Sequence, residues 1–259
     1  MTTSSHPDRV PASRRVAAAL RSRIESGELR AGAPLPSERN LAEDFEVARN
    51  TAREAVRLLT DEGLVHARHG KGVFVRETRK LMRFGAERYS HRLREETGLS
   101  PYRAEVAKQG RTARVDCTSI TTVPAPEFIA ERLGLVAEDP VICRENWYFA
   151  DDEPVQRGIT YIPVAVAGTS PLADSANLGK GSLYARFEDQ GYPIATIREE
   201  ISARMPRRDE KDRLKIPDGV PVIEVIHTGI DPEGTPFETT VFTMRADTTG
   251  LDYTIPVRN

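Results

Sequence analysis

Residues 48–75 read ARNTAREAVRLLTDEGLVHARHGKGVFV, and the way this stretch divides between helix and strand decides the architecture of the first third of the chain. Wound on a helix at about 100° per residue, Ala52, Ala55, Val56 and Leu59 fall on one arc, and Arg49, Asn50, Arg53 and Arg57 on another. One face packs and the other is left free. Gly63 stops the helix. Val65 and Ala67 then alternate with His66 and Arg68, and past the turn His69-Gly70-Lys71-Gly72 the apolar Val73 and Val75 alternate again, the pattern of a two-stranded hairpin. An arginine-bearing helix face is by itself more often a solvated surface than a DNA-reading one. The hairpin beside it favours DNA: arginine pairs with guanine and asparagine with adenine when the N-terminal end of such a helix enters a major groove.

Upstream, Val16, Ala17, Leu20 and Ile24 form one apolar stripe of a first helix that Gly27 ends. Pro34 and Pro36 push their predecessors towards extended backbone, so a second helix begins only after them, with Ser37 as N-cap and Leu41, Ala42 and Phe45 as anchors. Three helices and a wing are expected over residues 11–77, preceded by a disordered N-terminus over residues 1–10.

The ordered runs Gly27–Gly32, Leu35–Ala42, Arg49–Arg53, Glu62–Val65 and Gly70–Val75 resemble the DNA-binding domain of the GntR regulators. The resemblance implies a winged helix-turn-helix in which Arg39, Arg49, Arg53 and Gly70 contact DNA. With Asn50, Thr51 and His69 these make up the candidate DNA-binding set. Arg39 has an alternative in pairing with Glu38 or Glu43, and Gly70 in simply meeting the turn's need for positive φ. Where that family commonly has Gly-Val-Ser, this chain has Glu46-Val47-Ala48, a departure that removes a hydroxyl able to cap the third helix.

A net charge of -2 does not advertise nucleic-acid binding, so the reading rests on where the charges lie. No run of apolar residues is long enough to span a membrane, and the polar start carries no secretory signal; a cytoplasmic protein is expected. Cys117 and Cys143 stand far apart without metal-ligand spacing and read as buried apolar residues. The five histidines are scattered, and no nucleophile motif or acid–base pair stands out. Neither catalysis nor a cofactor or metal is expected.

Residues 78–99 are charge-rich with few anchors and read as a linker. From residue 100 to 259, strand-like runs (103–109, 114–123, 141–149, 155–162, 194–203, 222–230 and 237–245) mix with helical ones near 126–133 and 183–190, which implies an α+β fold with antiparallel pairs. Leu133, Pro140, Val141 and Ile142 recur as Leu214, Pro221, Val222 and Ile223, each copy leading into a turn and a further strand. Two related hairpins in one sheet would explain the echo. Gly179-Lys180-Gly181-Ser182 precedes a helix and is suited either to an anion or to plain capping. Arg144, Asn146 and Tyr148 share one strand face, and a ligand is expected on it.

Pro101–Val106, Asp152–Val155, Tyr161–Pro163, Ser182–Tyr184, Pro236–Glu238 and Arg245–Asp247 together resemble the UTRA domain of the HutC branch of the GntR family. This implies a chorismate-lyase-like antiparallel sheet domain, a homodimer acting on a double-stranded, pseudo-palindromic operator, and a small-molecule effector. The candidate effector set is Arg144, Asn146, Tyr148, Ser182, Tyr184, Glu238 and Met244. Family members that bind phosphorylated sugars carry arginines where this chain has Asn146 and Tyr148, and often an aromatic at Met244, so a different and less polar effector is expected.

Overall fold

A computed structural model of the chain describes residues 10–68, 70–76, 80–255 and 257. It forms two compact units: the first holds the described residues before residue 80 together with Pro217–Val220, and the second holds residues 80–216 and those from 221 on.

The first unit contains α1 (Ala12–Glu25), α2 (Glu38–Asp44), α3 (Arg49–Asp61) and the antiparallel pair β1 (Val65–Arg68) and β2 (Gly72–Val75). Its core gathers Val16, Ala17 and Leu20 from α1, Leu41 from α2, Ala52, Ala55, Val56 and Leu59 from α3, and Val65 and Val75 from the hairpin. Leu20, Leu41 and Leu59 are wholly buried, and each contributes about 1.5–3 kcal/mol by leaving water. The segment broken by the two prolines is extended, as expected, and lies along β2: Leu35 N donates to Val73 O at 2.7 Å and Val75 N to Ala33 O at 2.8 Å. Ser37 caps α2, its hydroxyl accepting from the Asn40 amide at 3.2 Å.

Both departures from the family pattern act locally. Glu46 adopts φ 50°, a left-handed conformation that costs a residue with a Cβ about 1–2 kcal/mol. Ala48 takes the N-cap position of α3 with φ -64° and ψ 147° but offers no side-chain cap. Glu46→Gly and Ala48→Ser are each expected to stabilise the first unit by about 1 kcal/mol; denaturant unfolding of the full chain followed on the helical signal of this unit checks both.

The second unit begins with β3 (Leu81–Phe84), a short 3-10 turn (Ala86–Tyr89), α4 (His91–Thr97) and α5 (Pro101–Lys108). Then come β4 (Ala113–Pro124), α6 (Glu127–Leu133), β5 (Pro140–Ala150), β6 (Glu153–Pro163), α7 (Val164–Ala167), α8 (Pro171–Asp174) and α9 (Ser182–Asp189). It ends with β7 (Thr196–Arg204), α10 (Arg208–Arg213), β8 (Val222–Ile230), β9 (Pro236–Arg245) and β10 (Thr249–Asp252). Six strands make one antiparallel sheet in the order β4-β5-β6-β9-β8-β7. The order is symmetric about the β6–β9 seam: strand, helix and hairpin (β4, α6, β5–β6) are matched by strand, helix and hairpin (β7, α10, β8–β9). The echo between residues 133–142 and 214–223 is therefore two hairpins sharing one sheet.

Three sequence expectations need correction. Residues 78–99 do not form a featureless linker: from residue 80 they belong to the second unit, and β3 pairs in parallel with β10, whose partner residues lie at the far end of the chain. Three of their arginines are internal: Arg83, Arg88 and Arg94 are buried and pair with Glu199, Glu105 and Glu188, while Arg92 stays exposed. The run 103–109 is helical. Ser100 caps α5, Pro101 suits its first turn, and Tyr102 and Val106, four residues apart, are the buried stripe. Cys117 and Cys143 are free and only half-buried. The proposed disordered start and His69 fall outside the described residues, Val10 apart.

Candidate DNA-reading face and effector cleft

In the first unit, Arg49, Asn50 and Arg53 project from the start of α3 as exposed side chains, with Thr51 partly covered. Glu38 of α2 holds the two arginines: Arg53 Nη2 lies 3.0 Å and Arg49 Nε 3.5 Å from Glu38 Oε2. Arg53 brings both nitrogens to that carboxylate, at 3.1 and 3.0 Å, which holds the Glu38 carboxyl below its ordinary range. Arg57 points the same way in sequence but is tied along its own helix to Glu54 at 2.6 Å and Asp61 at 2.8 Å. Arg39 is 77% exposed and only loosely paired with Glu43 at 3.9 Å. In the wing turn Gly70 has φ 69°, and a Cβ there would meet nothing within 4 Å, so backbone conformation explains this glycine. Exposed pairs of this kind are worth roughly 0–1 kcal/mol, so a polyanion displaces Glu38 at small cost.

The second unit holds a cleft of about 210 Å³ on the β5 face that carries Arg144, Asn146 and Tyr148. Ser182 and Tyr184 of α9 close one side, and Tyr89, Ser100 and Tyr102 another. Five of the seven sequence candidates thus line one space. The other two do not: Met244 packs into the apolar cluster of Val225 and Phe242, and Glu238 lies wholly buried behind Thr240, whose hydroxyl donates to it at 2.8 Å. Arg88, Tyr102, Gln156, Thr160, Thr240 and Phe242 are lining residues that the sequence did not point to. For the β6 and β9 residues a partial signal was present, since two-residue alternation puts Gln156 with Thr160 and Thr240 with Phe242 on one strand face. For Arg88 and Tyr102 it was hidden in segments read as linker and strand.

Arg144 lines the cleft but spends its fork elsewhere. Nη1 donates to Leu172 O at 2.7 Å and Nη2 to Ser175 O at 2.7 Å, which fixes the end of α8 and the loop that carries Asn177 and Leu178 into the cleft wall. Burial lowers its proton affinity. Gly158, paired with Asn146 and Phe242 across the strands, leaves room for two rings of the floor: a Cβ there would stand 3.0 Å from Tyr148 and 3.1 Å from Phe242.

Beneath the floor runs a buried polar chain. Arg144, Thr160, Thr240, His227 and Glu199 are register partners on β5, β6, β9, β8 and β7, so they form one row across the sheet. Thr160 and Thr240 hydroxyls are 2.8 Å apart. His227, with no exposed surface, sets Nε2 2.9 Å from Glu238 and Nδ1 3.3 Å from Glu199. The hydroxyls of Tyr184 and Tyr89, both on the cleft wall, reach its two ring nitrogens at 3.0 Å each. Glu199 also receives Arg83 and the Tyr253 hydroxyl. Burial works against charge on His227, but the Glu238 charge and the bonds to both carboxylates prevail and raise its pKa above 6.5. Glu199 moves the other way: its burial penalty is overcome by His227, Arg83 and Tyr253 and its carboxyl is held far below the ordinary range.

The comparisons with known proteins agree with this division. Residues 12–75 match the model of bacterial regulatory proteins of the gntR family, and residues 108–249 match the UTRA domain. The chain belongs to the GntR family of transcriptional regulators. It is 32% identical over 248 residues to the HTH-type transcriptional regulator Rv0792c of Mycobacterium tuberculosis, covering 95% of this chain and 87% of that protein. It is 27% identical to the HTH-type transcriptional repressor NagR of Bacillus subtilis, covering 88% of each. A crystallised GntR-family transcriptional regulator shares the fold with a TM-score of 0.67 at 28% identity, over 96% of this chain and 99% of that one. PhnF of Mycobacterium smegmatis shares the fold alone, with a TM-score of 0.59 at 24% identity over 94% and 100%. Like its relatives, this GntR-family member is a DNA-binding transcription regulator and not an enzyme. Among the described residues no helix is long and apolar enough to cross a membrane.

The buried row makes the second unit sensitive to pH in a defined direction. Because the folded His227 value is raised, its contribution is complete below about pH 6.5 and is lost as pH rises through the raised value. Glu199, with a depressed value, contributes above the ordinary carboxylate range and loses that only in strong acid. Denaturant unfolding is expected to show stability falling as pH rises from 6.5 into the alkaline range, and His227→Gln is expected to lower stability and flatten this slope. An unchanged slope in the variant would show that the ring is neutral in the folded state.

Proposed function

We propose that two copies of this chain act as a homodimeric repressor, placing each α3 in a major groove of a pseudo-palindromic operator with the wing alongside, and that a small molecule in the cleft of the second unit changes operator affinity. The observation that carries the DNA half is the pair Arg49 and Arg53 at the N-terminal end of α3, exposed and restrained only by Glu38, where base readers of such helices stand. Asn50 and Thr51 extend that edge. Arg39 and the wing residues His69 and Gly70 take the flanking phosphates and the minor groove. Effector contacts are assigned to Asn146, Tyr148, Ser182 and Tyr184 on the cleft wall, with Arg144 as the residue that positions it. Relatives named as regulators and one named as a repressor support the sign of the effect.

Linkage sets the mechanism. A ligand lowers operator affinity by the ratio of its own affinities for the DNA-binding and non-binding arrangements of the dimer. A ligand that binds both arrangements equally changes nothing.

Binding of the full chain to a labelled fragment from upstream of its own gene, across a salt series, checks the DNA half. Arg49→Ala with Arg53→Ala removes four arginines from a dimer and is expected to weaken selective binding by about 1000-fold or more, at about 1–3 kcal/mol for each base that is no longer read, and to flatten the salt dependence in proportion to the number of phosphates no longer neutralised. If wild type and variant bind any DNA equally, and a genome-wide fragment pool yields no selected site, the assignment to α3 is wrong.

A further inference from the structure

We infer that the effector is a small organic monoanion, a carboxylic acid with a planar apolar end, and not an amine or a sugar phosphate; the inference rests on reading the cleft as the effector site. The first ground is charge. Among the described residues the cleft wall carries three guanidinium groups, Arg88, Arg103 and Arg144, and no carboxylate. The nearby acids are already committed on the far side of the wall: Glu105 to Arg88 at 3.3 Å, and Glu238 to His227 and Thr240. Arg144 is 1% exposed and has no carboxylate partner among the described residues, only backbone carbonyls. Asp174 attracts Arg144 through charge alone, without a bond; a buried cation so weakly compensated is costly, and an anion entering the cleft relieves that cost where an amine adds to it.

The second ground is which anion. Phosphate dianions are held by forked, charge-assisted donors, and the Arg144 fork is occupied by the Leu172 and Ser175 carbonyls. The next two inward-facing residues of β5 are the neutral Asn146 and Tyr148. Of the three guanidinium groups, Arg88 is already paired with Glu105 and Arg103 is exposed, so Arg144 is the buried positive charge of the wall without a carboxylate bond, and neutral donors from Asn146 and Ser182 beside it match a carboxylate.

The third ground is the body of the ligand. Tyr148 stands four residues from Arg144, about 13 Å along the strand, and that end of the cleft is aromatic: Tyr102 meets Tyr148 edge-on at 4.9 Å, and Phe242 lies at 6.2 Å. Such rings favour a flat apolar partner.

Thermal unfolding and calorimetric titration of the full chain test the inference with para-coumarate, cinnamate and phenylacetate set against para-coumaramide, tyramine and glucosamine phosphate. At least one acid is expected to stabilise the protein and to bind about tenfold or more tightly than the matched amide, the size of one charge-assisted hydrogen bond, with no stabilisation by tyramine. Asn146→Asp, which puts a carboxylate into the wall, is expected to cost that acid about tenfold or more, against a smaller loss for Asn146→Leu. Binding that favours the amide, the amine or the sugar phosphate over every acid overturns the inference and leaves the effector reading standing. A panel in which no class binds removes both.

Discussion

The seam between β6 and β9 is the constraint on which the second unit depends. It joins two hairpins that resemble one another, and it does so with threonines: Thr160 and Thr240, buried and 2.8 Å apart, are the middle of a polar row running from Arg144 to Glu199. Buried polar groups are tolerated when every member finds a partner, and a half-satisfied network is costly. Here Thr160 bonds Thr240 and His227 bonds Glu199 across neighbouring strands, while Glu238 lies between Thr240 and His227, so at these steps strand register and polar contact enforce one another. Slipping one strand by a residue would turn its member of the row to the other face. It would leave His227 or Glu238 buried without its partner.

The same row explains why the cleft lies where it does. Its Arg144 end fixes the loop after α8, its centre supplies Thr160 and Thr240 to the floor, and its His227 end holds the hydroxyls of Tyr89 and Tyr184. A ligand that moves either tyrosine therefore acts on a charged cluster that also contains Arg83 of β3, in the first strand to follow the DNA-binding unit. Small displacements at a packed, hydrogen-bonded cluster tend to resolve into discrete alternatives, which is what an effector-controlled regulator needs.

Much of this was legible in the chain. The head was readable because its interactions are local: apolar spacing on α1 and α3, the proline break and the hairpin alternation each lie within a few residues. The facing of β5 was legible for the same reason, since two-residue alternation places Arg144, Asn146 and Tyr148 together without knowledge of the neighbouring strands. Residues 80–99 were not legible. Their arginines look solvated until Glu105, Glu188 and Glu199 arrive from elsewhere in the chain, and β3 becomes a strand only by pairing with β10. Glu238 and Met244 entered through the family resemblance, which gives a position along the chain but not a depth: both lie on β9, and neighbouring side chains cover them.

Glu38 gives the head a resting state in which Arg49 and Arg53 are paired, and the cleft gives the second unit a positively charged wall. Regulation requires that occupancy of one alter the other. The most direct test is an anisotropy titration of a labelled operator duplex at fixed salt, with and without a saturating concentration of whichever compound most stabilises the protein. Operator Kd values that differ by about 5–150-fold are the predicted result. Superimposable curves, with the compound demonstrably bound, would contradict the account.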